Sequence, residues 1–215
     1  MLKMLTLIFC LIASASAHFH LLYPGPRGAF VAQNELQFCG NLPEVTTNRT
    51  TFPLSGGYIN IQTGHPNWLL GVIISTDADP NTWEDFNIAG TNNQQFVKYY
   101  GKQANPGTYC IPLDLKASGI AGVQEGSNVT IQAIFQGGDG NLYQCADLTL
   151  SANASPPSDQ PCKNVTDTAA VSSLAAASSS SAAAAKPSQT GGASHLAPAV
   201  IVVTLLGTLI VTLSL

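Results

Sequence analysis

Through the middle of the chain, apolar and polar residues alternate with the two-residue period of half-buried strands. Tyr58-Ile-Asn-Ile-Gln62 places Ile59 and Ile61 on one face. Leu69 to Ser75 is a nearly continuous apolar run rich in branched residues, which predicts a strand buried inside a sandwich. Val129, Ile131, Ala133 and Phe135 alternate against Thr130, Gln132 and Ile134. Gly137-Gly138-Asp139-Gly140 follows, and glycine accepts the positive φ that tight hairpin turns need, so the chain is predicted to return along Leu142 to Leu150. No long stretch between these runs combines helical periodicity with good caps. The expected fold class is all-β, an antiparallel β-sandwich of the immunoglobulin or fibronectin kind.

Both ends depart from this pattern. Lys3, an apolar run from Met4 to Ala13 and the small residues Ala15-Ser16-Ala17 predict a secretory signal over residues 1–17, cleaved before His18. About ten apolar residues are too few to cross a bilayer core of roughly 30 Å, and Cys10 would leave with the signal. From Leu196 to Leu215 the chain is again apolar and uncharged, with Gly191-Gly192-Ala193 just upstream. That arrangement predicts a glycolipid (GPI) attachment signal over residues 191–215, with attachment at Gly191 or Gly192. A true C-terminal membrane anchor is the alternative. Residues 166–190 are dominated by Ala and Ser, include Pro187, and read as a stalk. Residues 18–165 remain as one domain, long enough for a proper core. The expected location is the extracellular face of the plasma membrane or the cell wall.

Composition narrows the chemistry. Charged residues make up 9% of the chain, against about a quarter in ordinary globular domains. No basic cluster is present, which argues against a nucleic-acid binder. Cys39, Cys110, Cys145 and Cys162 survive signal removal, and an even number in an exported domain predicts two disulfides. Three pairings are possible and the sequence does not choose among them; Cys39–Cys145 with Cys110–Cys162 is the one carried forward. Asn48, Asn128, Asn153 and Asn164 head glycosylation tripeptides, in keeping with export. No GxSxG, HExxH or phosphate loop occurs, and the acids are scattered, so hydrolytic chemistry has no visible motif.

Cleavage before His18 would create a ligand that no internal histidine provides. An N-terminal histidine chelates a metal through its α-amine and its ring, and a second histidine completes a three-nitrogen set, the histidine brace. Such nitrogen donors suit Cu(II), which favours tetragonal geometry and heads the affinity order of divalent metals. His65, just after the Tyr58–Gln62 strand, is the candidate second histidine. His20 offers a competing mode, in which the amine, two deprotonated amides and the third-position imidazole enclose the ion in a plane. His195 falls in the removable tail.

A family resemblance sharpens this picture. The segments His18-Phe-His-Leu-Leu-Tyr-Pro-Gly-Pro-Arg-Gly28, Pro53-Leu-Ser-Gly-Gly57, His65 and Asp139-Gly-Asn-Leu-Tyr-Gln-Cys-Ala-Asp147 resemble a fungal family of LPMO-like, GPI-anchored copper proteins. The resemblance covers essentially the whole domain. It implies the sandwich and brace of lytic polysaccharide monooxygenases, copper binding without oxidative cleavage of polysaccharides, and a part in copper acquisition at the cell surface. It places His18 and His65 in the brace around one Cu(II) ion and makes Asp139 a carboxylate ligand where monooxygenases present tyrosine or phenylalanine. On its own residues, Asp139 reads rather as a turn former before Gly140, and the resemblance turns the reading toward a ligand. Asp114 and Asp147 lie in or beside apolar segments and are weaker candidates.

The expected function is therefore extracellular copper binding by a monomer, without turnover, with a plasma-membrane copper transporter as partner. One alternative is a monooxygenase acting on cell-wall glycan, with Tyr143 as axial residue and Trp68, Trp83, Tyr99 and Tyr100 as candidates for a sugar-stacking face, although Trp68 and Trp83 read better as core and loop. A structural wall adhesin is the other.

Overall fold

The computed structural model describes residues 18–138 and 140–166. The signal over 1–17, Asp139, the stalk beyond Thr166 and the attachment signal with Gly191 and Gly192 lie outside the described residues.

Nine strands form two sheets, in chain order β1 (Phe19–Tyr23), β2 (Thr50–Pro53), β3 (Gly57–Thr63), β4 (Trp68–Ser75), β5 (Phe96–Gln103), β6 (Gly107–Leu113), β7 (Asn128–Gln136), β8 (Asn141–Ser151) and β9 (Val165–Thr166). One sheet has the order β1-β3-β6-β9 and the other β2-β8-β7-β4-β5. The result is an immunoglobulin-like β-sandwich, as the alternation predicts. Among the named strands every pairing is antiparallel except β2 on β8, which is parallel. The long connection from β1 to β2 lets the chain enter this edge in the same direction as β8; such a reversal leaves no mark in the local pattern.

The core lies between the sheets. Phe19, Leu21, Ile59, Ile61, Ile111 and Leu113 from one meet Trp68, Leu70, Val72, Ile74, Ile131, Phe135 and Leu148 from the other, all at most 3% exposed. The outer face of the larger sheet is partly roofed by the connections that follow β1 and β4. Ile73, Phe86, Cys39 and Cys145 form a second buried cluster there, with Phe38, Phe96 and Ile134 against it. This roof explains why Leu69 to Ser75 reads as apolar on both faces. The smaller sheet is covered in the same way: Tyr58 and Asn60 are buried on the face opposite Ile59 and Ile61, and both donate to the Gln160 carbonyl.

The disulfides are Cys39–Cys145, which ties the first roof to β8, and Cys110–Cys162, which ties the segment before β9 to β6. Arg27, in the Pro-Gly-Pro-Arg motif, is buried at the first roof's centre. Its guanidinium pairs with Asp147 through Nε (3.0 Å) and Nη2 (2.9 Å), and donates to the carbonyls of Leu42, Pro43 and Pro80. Asp147 also accepts from the Thr130 hydroxyl and the Thr46 N–H. Its place in an apolar strand is thus that of a buried ion pair.

One rung crosses the whole smaller sheet: Phe19 opposes Thr63, Thr63 opposes Gly107, and Gly107 opposes Thr166. The start of β1 and the last described residue therefore share one rim, three strand spacings or about 14 Å apart.

Candidate metal centre

His18 and His65 sit on this rim, His18 just before β1 and His65 two residues after β3. A single side chain ties their backbones together. The Thr63 hydroxyl donates to the His18 carbonyl (3.2 Å) and accepts the His65 N–H (3.0 Å). The Gly64 N–H adds a second, longer bond to the same carbonyl (3.4 Å).

The His65 ring is almost wholly buried, at 4% exposure, and lies 5.5 Å from the ring of Phe135, on which Phe19 also stacks at 4.9 Å. Backbone also approaches the ring closely. Gly137, at the end of β7, comes so near that a Cβ there would stand 2.5 Å from His65 Cγ. The glycines after β7 therefore act as more than turn formers: the first of them makes room for an imidazole. Gly138 and Gly140 have φ of 115° and 102°, which glycine adopts readily. Asp139 between them lies outside the described residues, so the carboxylate expected at this end of the hairpin has no described geometry.

His18 is partly exposed, and its Nδ1 is 2.5 Å from Glu35 Oε2. Glu35 follows a short 3-10 turn (Ala32–Asn34) in the first roof and is 2% exposed. Its other oxygen accepts the Phe19 N–H (3.3 Å) and lies 3.5 Å from Gln144 Nε2. Burial raises the Glu35 carboxyl above its usual range, opposed by the hydrogen bonds from His18, Phe19 and Gln144. Phe30 packs against both neighbouring imidazoles, 5.6 Å from His18 and 4.2 Å from His20.

The strand also bears on the competing terminal mode. Wrapping an ion with the Phe19 and His20 amides needs both nitrogens free. Here Phe19 N–H is given to Glu35, and His20 is registered against Gln62 inside β1. That mode would have to unpair the strand.

The structure thus brings His18 and His65 to one place. Among the described residues, no three His, Cys, Asp or Glu side chains gather as a metal-binding group. Asp114 is exposed and accepts the Ala117 N–H, and Asp147 is held by Arg27. Of the aromatic residues considered for a sugar face, Tyr99, Tyr100 and Tyr143 line one cavity, and Trp83 shares another with Tyr99. Trp68 is fully buried with its indole N–H on the Asn105 carbonyl, Tyr100 stacks on it, and Tyr99 stands 71% exposed on Phe96. Tyr143 is half-buried, with Trp83 edge-on at 4.5 Å. The four glycosylation candidates Asn48, Asn128, Asn153 and Asn164 are all exposed. Thr63, Gln144 and Glu35 escaped the sequence reading. Of these, Glu35 lies in a polar stretch, Gln33-Asn-Glu-Leu-Gln37, that reads as solvent-facing loop.

A family profile described as Copper acquisition factor BIM1-like matches residues 16–167. The chain is 36% identical to copper acquisition factor BIM1 of Cryptococcus neoformans over 169 residues, covering 79% of this chain and 76% of that protein. It is 32% identical to the lytic polysaccharide monooxygenase-like protein ham-7 of Neurospora crassa over 179 residues, 74% of this chain and 76% of that one. Among solved structures, a neutron structure of a Jonesia denitrificans lytic polysaccharide monooxygenase aligns with a TM-score of 0.36 and 16% identity, over 62% of this chain and 100% of that one. By the extent of the profile match and of its curated relatives, the chain belongs to the copper acquisition factor BIM1-like family.

Proposed function

We propose that this domain binds one Cu(II) ion in a histidine brace formed by His18 and His65, completed by the Asp139 carboxylate, and holds it for acquisition at the cell surface. Family membership supports a copper-related function, and one observation carries the rest: Thr63 fastens the two histidines to one rim. The residues fit the metal. The two histidines follow neighbouring positions on one rim, tied through the Thr63 hydroxyl, and the absent Cβ at Gly137 leaves the His65 ring its seat. Counting atoms from the α-amine through Cα, Cβ and Cγ, only Nδ1 of His18 closes a six-membered chelate. Nitrogen donors with a carboxylate favour divalent copper.

The reading is of a binding protein. Trp68, one of the four residues weighed for a sugar-stacking face, lies in the core, which weakens the monooxygenase alternative. Cleavage of residues 1–17 would free the amine, and a glycolipid anchor after a Ser/Ala stalk would hold the domain, as a monomer, near a membrane copper transporter at raised effective concentration.

The test is electron paramagnetic resonance of Cu(II) on the protein with His18 free, on an N-terminally extended form, and on His65→Ala and Asp139→Ala variants. Loss of the tightly bound signal on extension and on His65→Ala, with a changed signal for Asp139→Ala, is the expected result. An unchanged signal on extension refutes the brace.

A further inference from the structure

β1 is the edge strand of its sheet, with β3 on one side and no strand on the other. An open edge presents unpaired N–H and C=O groups, yet on β1 the Phe19 N–H and C=O and the Leu21 N–H are bonded. Gln144 performs the pairing with one amide: its Oε1 accepts the Leu21 N–H (3.0 Å) and its Nε2 donates to the Phe19 carbonyl (2.5 Å). It reaches there from the opposite sheet, from an inward position of β8 between Leu142 and Ala146. Glu35 extends the false edge by accepting the Phe19 N–H, and its own carbonyl is fixed to β8 by the Tyr143 N–H (2.7 Å). Both side chains are buried, at 2% and 7% exposure.

An amide at position 35 would accept the Phe19 N–H as well, without the several kcal/mol that burying a carboxylate costs. What distinguishes a carboxylate here is its second oxygen, 2.5 Å from His18 Nδ1. Nδ1 is the ring atom that can chelate with the freed α-amine, so an ion taking Nδ1 takes it from Glu35 and sits beside a buried negative charge.

Resting on the brace reading above, we infer that Glu35 and Gln144 are positioning residues for the copper site. Gln144 clamps the N-terminal strand so that His18 is presented in one place. Glu35 holds the imidazole before metal arrives and afterwards lends its charge to the ion, favouring the divalent state. Metal-site partners beyond the direct ligands typically change affinity by about ten- to a hundred-fold when removed.

The experiment compares wild type with Glu35→Gln, Glu35→Ala and Gln144→Met, all with His18 free. It reads Cu(II) and Cu(I) affinities by competition, the reduction potential, the Cu(II) resonance spectrum, and unfolding of the metal-free proteins. Glu35→Gln keeps the bond to Phe19 N–H and removes the charge. It should fold at least as stably as wild type, bind Cu(II) about tenfold or more weakly, hold Cu(I) with little change, and show a higher potential. Gln144→Met should give a heterogeneous Cu(II) spectrum. Wild-type affinity and potential in Glu35→Gln overturn the role of the charge whether or not Gln144→Met folds. A single wild-type spectrum in a folded Gln144→Met overturns the clamp. The brace itself fails by a different sign: tight Cu(II) binding that survives His65→Ala or N-terminal extension.

Discussion

Tyr23 closes β1 with its ring between those of Phe52 and Tyr58, and its hydroxyl is buried without a partner among the described residues. Burial, with the neighbouring Tyr58 second, pushes its pKa up to about 12 from an ordinary value of 10.0. The sign follows from which state ionises first. Below pH 10 both folded and unfolded chains carry the neutral phenol; above it the unfolded chain loses the proton before the folded one does. Stability is therefore present at neutral pH and lost as pH rises from 10 through 12, by about 3 kcal/mol from this group. Tyr23→Phe is expected to flatten this alkaline limb and, by removing an unbonded buried hydroxyl, to add about 1 kcal/mol at pH 7. Denaturant unfolding of both proteins across that pH range measures it. At this scale the histidines could be singled out in the sequence because cleavage before His18 would create unusual chemistry at a named residue. Glu35 could not, since its burial comes from β1 together with β8, the latter more than a hundred residues away.

The β7–β8 hairpin is the element that joins core to site. Its alternating residues and glycine-rich turn announce it plainly, and the strands at Gly57–Thr63 and Trp68–Ser75 were likewise readable. What the pattern could not convey is that β3 and β7 are buried on both faces, because their covers come from distant connections. Nor could it show that the turn's first glycine touches a histidine. Gly137→Ala should push the His65 ring out of place, at about 1–3 kcal/mol of stability and tenfold or more in Cu(II) affinity. Gly101→Ala, where a Cβ meets nothing within 4 Å, serves as control and should leave copper binding unchanged. Competition titration and thermal unfolding of the two variants check this, and an intact affinity in Gly137→Ala would show that the ring has room to adapt.

Across the whole molecule, Arg27 links the first roof and the connection near Pro80 to the paired strands β7 and β8. Arg27→Ala leaves Asp147 buried and uncompensated, with an expected loss of about 3–5 kcal/mol. Changing Arg27→Met and Asp147→Leu together should recover part of that loss, read as unfolding midpoints of the single and double variants. The sandwich class could be anticipated from periodicity alone. The parallel edge strand could not, because sheet order depends on where long connections cross. The rung from Phe19 to Thr166 has a steric consequence of its own. A fusion partner, tag or tether joined after Thr166 starts about 14 Å from the start of β1, where His18 stands, and on the histidines' side of the sandwich. On the copper-binding reading proposed above, bulk added there would shade the site from one flank, a large acceptor for the ion would have clearer access from the β1 side, and the slack of the attached segment would set how wide that opening is.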